Sequence, residues 1–159
     1  QFLGSILLIN SSMSIDLSNY DIKFYRGDTF KLDFSYTTSA NVGINLSSYT
    51  ATMQIRRSPF SSTLLAELNE NYPAGAFGRG VTGSDFSSGS GVTGGTGGVV
   101  LNYSGTTGDI HIEIDSATSS NIPGGKHSYD LQLVNDSTGV HDTILRGRMT
   151  VVESTTKLS

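Results

Sequence analysis

Four polar side chains alternate with isoleucines along one short segment in the last third of the chain. They are Asp109, His111, Glu113 and Asp115. Alternate residues of an extended strand share a face, so these side chains are predicted to lie together and to point away from the core. Two neighbouring carboxylates are the residue types that glycoside hydrolysis uses, and histidine with carboxylates is a common metal-ligand set.

The residues around this segment do not complete a catalytic or metal-binding motif. His111, His127 and His141 have no His-x-His or His-Glu-x-x-His spacing, and no Asp-x-Asp-x-Asp run indicates a calcium loop. The sequence also lacks Trp, which commonly lines sugar clefts, Cys, and a Gly-x-Ser-x-Gly elbow. We therefore expect a protein that is not an enzyme and that needs no metal and no cofactor.

Charge and composition limit the classes of partner. The 159 residues carry a net charge of −4 with a pI of about 5.2, and only 15% are charged. This is not the basic footprint of a nucleic-acid-binding domain. The apolar segment at the N-terminus is too short to span a membrane and lacks a basic signal-peptide start. Arg146 and Arg148 stand at strand spacing, which predicts that both point to one solvated face.

Alternating apolar residues predict strands along most of the sequence. The run from Thr29 to Tyr36, the run from Thr50 to Arg57 and three runs between Gly108 and Val152 alternate clearly, with turn residues between them. We expect an all-β fold, an antiparallel β-sandwich of about eight strands that is immunoglobulin-like or jelly-roll-like. The predicted core consists of Phe30, Leu32, Phe34, Met53, Ile55, Ile110, Ile112, Ile114, Tyr129, Leu131 and Leu133.

Two segments stand apart from this pattern. Residues 1–12 form an apolar arm ahead of a single domain at residues 13–159, and residues 74–98 form a Gly- and Ser-rich insertion with ten of the 19 glycines. The arm either pairs with a neighbouring subunit or forms the first strand of its own sheet. The insertion cannot bury enough apolar surface to fold by itself, and long insertions of this kind are typically functional or disordered. Arg26-Gly27-Asp28 is interpreted as a turn rather than as an adhesion motif.

Several short motifs, in their order, resemble the small β-sandwich modules of tailed-bacteriophage virions, which occur in baseplate, tail and fibre-associated proteins. The motifs are Arg26-Gly27-Asp28-Thr29-Phe30, Leu46 to Arg56, Gly108-Asp109-Ile110, Tyr129-Asp130-Leu131-Gln132-Leu133 and Leu145-Arg146-Gly147. The resemblance implies a virion location, a structural role, and contacts with other virion proteins and with copies of the chain itself. A capsid-surface decoration protein and a carbohydrate-binding module or adhesin, which would bind a host surface glycan, remain alternatives.

Assembly contacts are expected from the two segments that the sandwich does not need for folding. An apolar arm can add a strand to the edge of a neighbour's sheet, and a Gly-rich loop can follow an irregular surface. The candidate contact residues are Phe2, Leu3, Ile6, Leu7, Leu8, Ile9, Phe77 and Phe86.

Overall fold

Ten strands and one short α-helix form the described part of the chain. The structure, a computed structural model, describes residues 5–8, 14–15, 19–62, 64–69 and 98–156, and describes only the main chain at 5–8, 14–15 and 69. The elements are β1 (Ser5–Leu8), β2 (Ser14–Ile15), β3 (Ile22–Tyr25), β4 (Phe30–Thr37), β5 (Tyr49–Arg56), β6 (Leu64–Asn69), β7 (Gly98–Leu101), β8 (Asp109–Ile114), α1 (Ser116–Asn121), β9 (Gly125–Asn135) and β10 (His141–Val152).

The strands divide into two five-stranded sheets. The first sheet has the order β2-β1-β4-β8-β7, and the second has the order β3-β10-β9-β5-β6. All neighbours are antiparallel except β3, which runs parallel to β10. The orders β1-β4-β8-β7 and β10-β9-β5-β6 correspond to the two sheets of an immunoglobulin sandwich, with β6 as the extra strand of the variable type. The predicted fold class is confirmed, and its immunoglobulin-like form is the one adopted.

The core lies between the sheets and contains the residues that alternation placed there. Ten of the eleven predicted core residues are buried, and Phe30 is half-buried against the same cluster. Leu131 and Met53 are opposite each other on β9 and β5, so their side chains share the inner face of the second sheet. Burying such side chains contributes roughly 1.5–3 kcal/mol each.

The N-terminal segment adopts the second of its two predicted arrangements. The main chain of β1 lies between β2 and β4 of the same chain, with Ile6 opposite both Ile15 and Tyr36. The expectation that the sandwich does not need residues 1–12 for folding does not fit this strand, because its main chain pairs with residues 34–37 of β4. Residues 74–97 of the Gly-rich insertion lie outside the described residues, and Gly98 begins β7.

The region between β8 and β9, predicted as a turn, contains the six-residue helix α1. The turn at Arg26 and Gly27 docks on this helix. The Arg26 guanidinium donates to the main-chain oxygen of Ser120 and to Glu153, both at 2.9 Å, and the Gly27 amide donates to Ser119 Oγ at 2.8 Å. The turn interpretation of Arg26-Gly27-Asp28 is confirmed, and its arginine is occupied within the chain.

Gly147 on β10 allows the chain to enter the second sheet. The main chain of Tyr20, just before β3, passes so close that a Cβ at Gly147 would lie 2.3 Å from the Tyr20 oxygen. The Tyr20 amide donates to the Arg146 oxygen at 2.7 Å, and the buried Tyr129 hydroxyl donates to the Tyr20 oxygen. These contacts fix the start of β3 beside β10.

Candidate functional site

The polar residues of β8 form direct cross-strand pairs with polar residues of β4. Lys31 is opposite Glu113, Asp33 is opposite His111, and Ser35 is opposite Asp109. Both strands alternate, so once they pair in this register every polar side chain of one faces a polar side chain of the other. The Ser35 hydroxyl donates to Asp109 at 2.5 Å, and Lys31 Nζ lies 3.7 Å from the Glu113 carboxylate.

His111 lies at the centre of this cluster and faces away from the apolar core, as predicted, but it is nevertheless buried. Only 3% of the residue is exposed, and Glu113 is 9% exposed. The ring of Tyr103, in the 3₁₀ helix Tyr103–Gly105, stacks on the imidazole with centroids 4.4 Å apart. Strand β8 is thus covered on both faces, which the alternation of its own residues could not indicate.

The geometry of the cluster is that of a closed hydrogen-bonded unit. His111 Nδ1 contacts the Asp33 carboxylate, and Nε2 lies 3.2 Å from the Glu113 carboxylate. In a Ser–His–Asp arrangement, Nε2 would face a serine hydroxyl, but here it faces a second carboxylate. Hydrogen bonds to both carboxylates form when both ring nitrogens carry a proton. The cluster therefore joins β4 to β8, and the predicted fourth member, Asp115, instead accepts a hydrogen bond from Thr118 at the start of α1.

The other two histidines lie apart from this cluster. His127 on β9 is buried, and its Nε2 is 2.6 Å from the Pro123 oxygen. The carbonyl can only accept, so Nε2 carries the proton and the buried Nδ1 has no hydrogen-bond partner among the described residues. His141 is exposed beside Gln132. Within the described ranges, no group of three or more His, Asp or Glu side chains is arranged to hold a metal ion.

A second polar region is open to solvent and lies on the outer face of the second sheet. It is a groove with a volume of about 580 Å³, and we call it the arginine groove. Its lining residues are Asn19, Asp21, Gln54, Arg56, Pro59, Ser128, Tyr129, Asp130, Arg146, Gly147 and Arg148.

Strand register arranges the floor of the arginine groove in two rows. Gln54, Asp130 and Arg146 are cross-strand neighbours on β5, β9 and β10. Arg56, Ser128 and Arg148 form the second row in the same way. The prediction that Arg146 and Arg148 share a solvated face is confirmed, since both are exposed. The sequence did not reveal that Arg56 joins them, because that depends on which strands are neighbours.

Hydrogen bonds within the chain orient several groups of the groove. Arg56 donates to the main-chain oxygens of Ser61 and Ser62 at 3.3 and 2.8 Å, and to the Gln54 side chain at 3.0 Å. Desolvation raises the pKa of the Asp130 carboxyl, while the guanidinium groups of Arg56 and Arg146 act in the opposite direction. The site thus contains positive and negative groups on three adjacent strands, whose backbones are held by the sheet.

The candidate assembly residues from the sequence fall in two groups. Ile6, Leu7 and Leu8 belong to β1, whose main chain is paired within the chain. Phe2, Leu3, Ile9, Phe77 and Phe86 lie outside the described residues, so their role stays a prediction. Sequence reasoning did not single out Phe60, which has the highest exposure of the large apolar residues described, 98%, and lies in the β5–β6 turn beside Pro59 of the groove.

Comparison with known proteins gives little beyond the fold. No family model matches the sequence, and no curated protein matches it significantly. A solved structure described as a marsupial T cell receptor is similar with a TM-score of 0.45 and 10% identity, over 98% of this chain and 56% of that chain. The fold class is therefore defined by the strand order, which is that of an immunoglobulin-like β-sandwich. None of the helices in the described part of the chain is long and apolar enough to cross a membrane.

Proposed function

We propose that this chain is a non-catalytic structural module of a tailed-bacteriophage virion, placed in the tail, baseplate, neck or fibre region. There it contacts other virion proteins and copies of itself. The proposal is supported by the ordered motifs that resemble virion β-sandwich modules and by a sandwich fold in which these motifs form strands and the turn between β3 and β4. The side chains around His111, whose types could do chemistry, are buried and hydrogen-bonded to one another. Their engagement within the chain also supports a non-catalytic role.

The observation that carries the proposal is the character of the outer face of the second sheet. That face presents three arginines in the arginine groove, and Phe60 projects from the adjoining turn with 98% of its surface exposed. Arginine and aromatic residues are enriched in protein–protein interfaces, and both types are frequent among the residues that dominate binding energy. A strand-built surface of this composition is suited to a protein partner.

The groove is less suited to a sugar. Sugar sites commonly use an exposed aromatic ring as a platform, but the tyrosine that lines the groove, Tyr129, is buried with its hydroxyl turned to Tyr20, and the exposed ring of Phe60 is not part of the lining. The same groove offers charged groups in place of an apolar surface. These features favour the assembly role over the carbohydrate-binding alternative.

Sedimentation of particles tests the proposal. Particles produced by the genome that encodes this chain are purified on a density gradient, and the chain is quantified by mass spectrometry in intact particles, separated tails and empty heads. We expect a fixed copy number in intact particles and tails. Recovery with empty heads would replace the tail location with a capsid-surface role. Recovery only in the particle-free fraction would contradict a virion role altogether.

A further inference from the structure

The arginine groove has an excess of positive charge in a chain that is acidic as a whole. Three arginines line it against two carboxylates, those of Asp21 and Asp130, while the whole chain has a net charge of −4. Half of the six arginines in the sequence are here, and none of the three lysines in the described part of the chain lines the groove. Guanidinium groups recognise carboxylates in a planar, two-point geometry that an ammonium group does not provide.

The two carboxylates of the groove are already engaged. One Asp21 oxygen accepts the main-chain amide of Arg148 at 3.0 Å, which ties the segment before β3 to β10. Asp130 lies in the field of Arg56 and Arg146, its cross-strand neighbour. Asp130 belongs to the row of Gln54 and Arg146, so the row of Arg56, Ser128 and Arg148 contains two arginines and no carboxylate of its own.

That row is built to receive an acceptor. Arg56 is held by three hydrogen bonds to its own chain, which use three of the five N–H donors of its guanidinium group. Arg148 lies two strands away, so the two Cα atoms are roughly 10 Å apart, with the Ser128 hydroxyl between them. An extended segment spans this distance in about three residues, at roughly 3.3 Å each, so two carboxylates of one segment can reach both arginines.

We propose that the arginine groove binds an acidic, extended segment of a partner protein, with carboxylates at Arg148 and Arg56 and an apolar side chain against Phe60. This names the partner chemistry of the assembly role and rests on it. A nucleic acid fits less well, because the aromatic ring of the groove lining, Tyr129, is buried and offers no face on which a base could stack. The open, mainly polar lining also differs from that of small-molecule pockets, which are mostly apolar.

The test is a titration of the purified full-length chain, labelled with ¹⁵N, with a capped Asp-Glu-Leu-Asp-Glu-Leu peptide. The peptide Asn-Gln-Leu-Asn-Gln-Leu serves as the uncharged probe and a single-stranded thymidine oligonucleotide as the nucleic-acid probe. Amide shifts locate binding, and the dissociation constant is measured at low and physiological salt. We expect shifts at Ser128, Asp130 and Arg148 with the acidic peptide and weaker binding at higher salt.

Arg148→Gln and Arg57→Gln form a matched pair of variants. Each removes one arginine charge, but Arg57 is exposed outside the groove lining. We expect Arg148→Gln to weaken acidic-peptide binding about three- to tenfold and Arg57→Gln to change it less than about twofold. Arg148→Lys should restore part of the loss, and unchanged thermal unfolding would show that each variant is folded.

Three results would overturn the groove assignment: equal effects of the two Gln variants, no shift of the groove amides, or tighter binding of the oligonucleotide. The virion role is judged separately. Peptide binding at the groove by a chain that is absent from particles would contradict the virion role alone. A chain present in tails that does not bind the peptide would contradict the groove assignment alone.

Discussion

His111 on β8 and Asp33 on β4 are direct cross-strand partners, and the imidazole Nδ1 contacts the Asp33 carboxylate. The other ring nitrogen is 3.2 Å from Glu113, so one buried side chain joins two carboxylates on two strands. This arrangement gives the first sheet a polar layer on its outer face, in addition to the apolar core on its inner face.

Replacing His111 should destabilise the fold markedly. In His111→Gln, the carboxylates of Asp33 and Glu113 lose a shared partner, and leaving a buried charge without its partner is costly. We expect the free energy of unfolding to fall by about 2–4 kcal/mol. Chemical denaturation followed by circular dichroism measures it.

Lys31→Gln is the control, because Lys31 contacts the same Glu113 from a side chain that is 60% exposed. An exposed ion pair contributes about 0–1 kcal/mol, so this variant should unfold almost as the wild type does. Equal losses in the two variants would show that burial of the imidazole is not what matters.

The sequence predicted the inner faces of the sheets but only part of their outer faces. Alternation along Phe30 to Tyr36 and along Ile110 to Ile114 depends only on each strand, and it correctly identified the core. Burial of His111 depends on Asp33 and on the ring of Tyr103, which are distant in sequence and come together only through strand pairing. The parallel pairing of β3 with β10 likewise has no local signal.

Tyr129→Phe tests the contact that fixes the start of β3. The variant removes the hydroxyl that donates to the main-chain oxygen of Tyr20. We expect a loss of about 1–3 kcal/mol at neutral pH, because the Tyr20 oxygen is left without this donor. Thermal and urea unfolding of the two proteins, measured side by side, give the difference.

The same pair of proteins should respond differently to alkaline pH. Burial, and then Tyr20 and Asp21, raise the pKa of Tyr129 above the ordinary value of 10.0. Above about pH 10, Tyr129 loses its hydroxyl proton in the unfolded chain but keeps it in the folded chain. The wild type therefore loses stability as the pH rises. The stability gap between wild type and Tyr129→Phe should therefore narrow above pH 10. A gap that stays constant would contradict a raised pKa.

Gly147→Ala should also disrupt the entry into β3, for a steric reason. The added Cβ would lie 2.3 Å from the Tyr20 oxygen, and main-chain atoms cannot move away as a flexible side chain can. We expect a loss of about 1–3 kcal/mol in the free energy of unfolding. Thr143→Ala, at an exposed position of the same strand, is the control, and an equally small effect of both would refute the close approach of Tyr20.

Two N-terminal deletions test whether the strand β1 stabilises the fold. Deletion of residues 1–12 removes β1 and leaves the β4 edge without its partner, so we expect a lower unfolding temperature. Deletion of residues 1–4 removes Phe2 and Leu3 but retains the strand Ser5–Leu8, so stability should remain close to that of the wild type. Unchanged unfolding of the 1–12 deletion would show that β1 contributes nothing to the fold.

The arginine groove could be predicted only in part. The spacing of Arg146 and Arg148 indicated a shared solvated face, which the structure has. Arg56 and Asp130 join that face because β5, β9 and β10 are neighbours, a relationship that no single strand encodes. Phe60 has no distinguishing signal in the sequence, and only its 98% exposure next to the groove distinguishes it.

Immunogold labelling of intact particles tests the proposed virion role most directly. Particles from the genome that encodes this chain are labelled with an antibody against the purified protein and viewed by negative-stain electron microscopy. The proposed role predicts gold at one defined position on the tail, baseplate, neck or fibres of most particles. Unlabelled particles, from preparations in which the antibody detects the chain in the surrounding lysate, would contradict it.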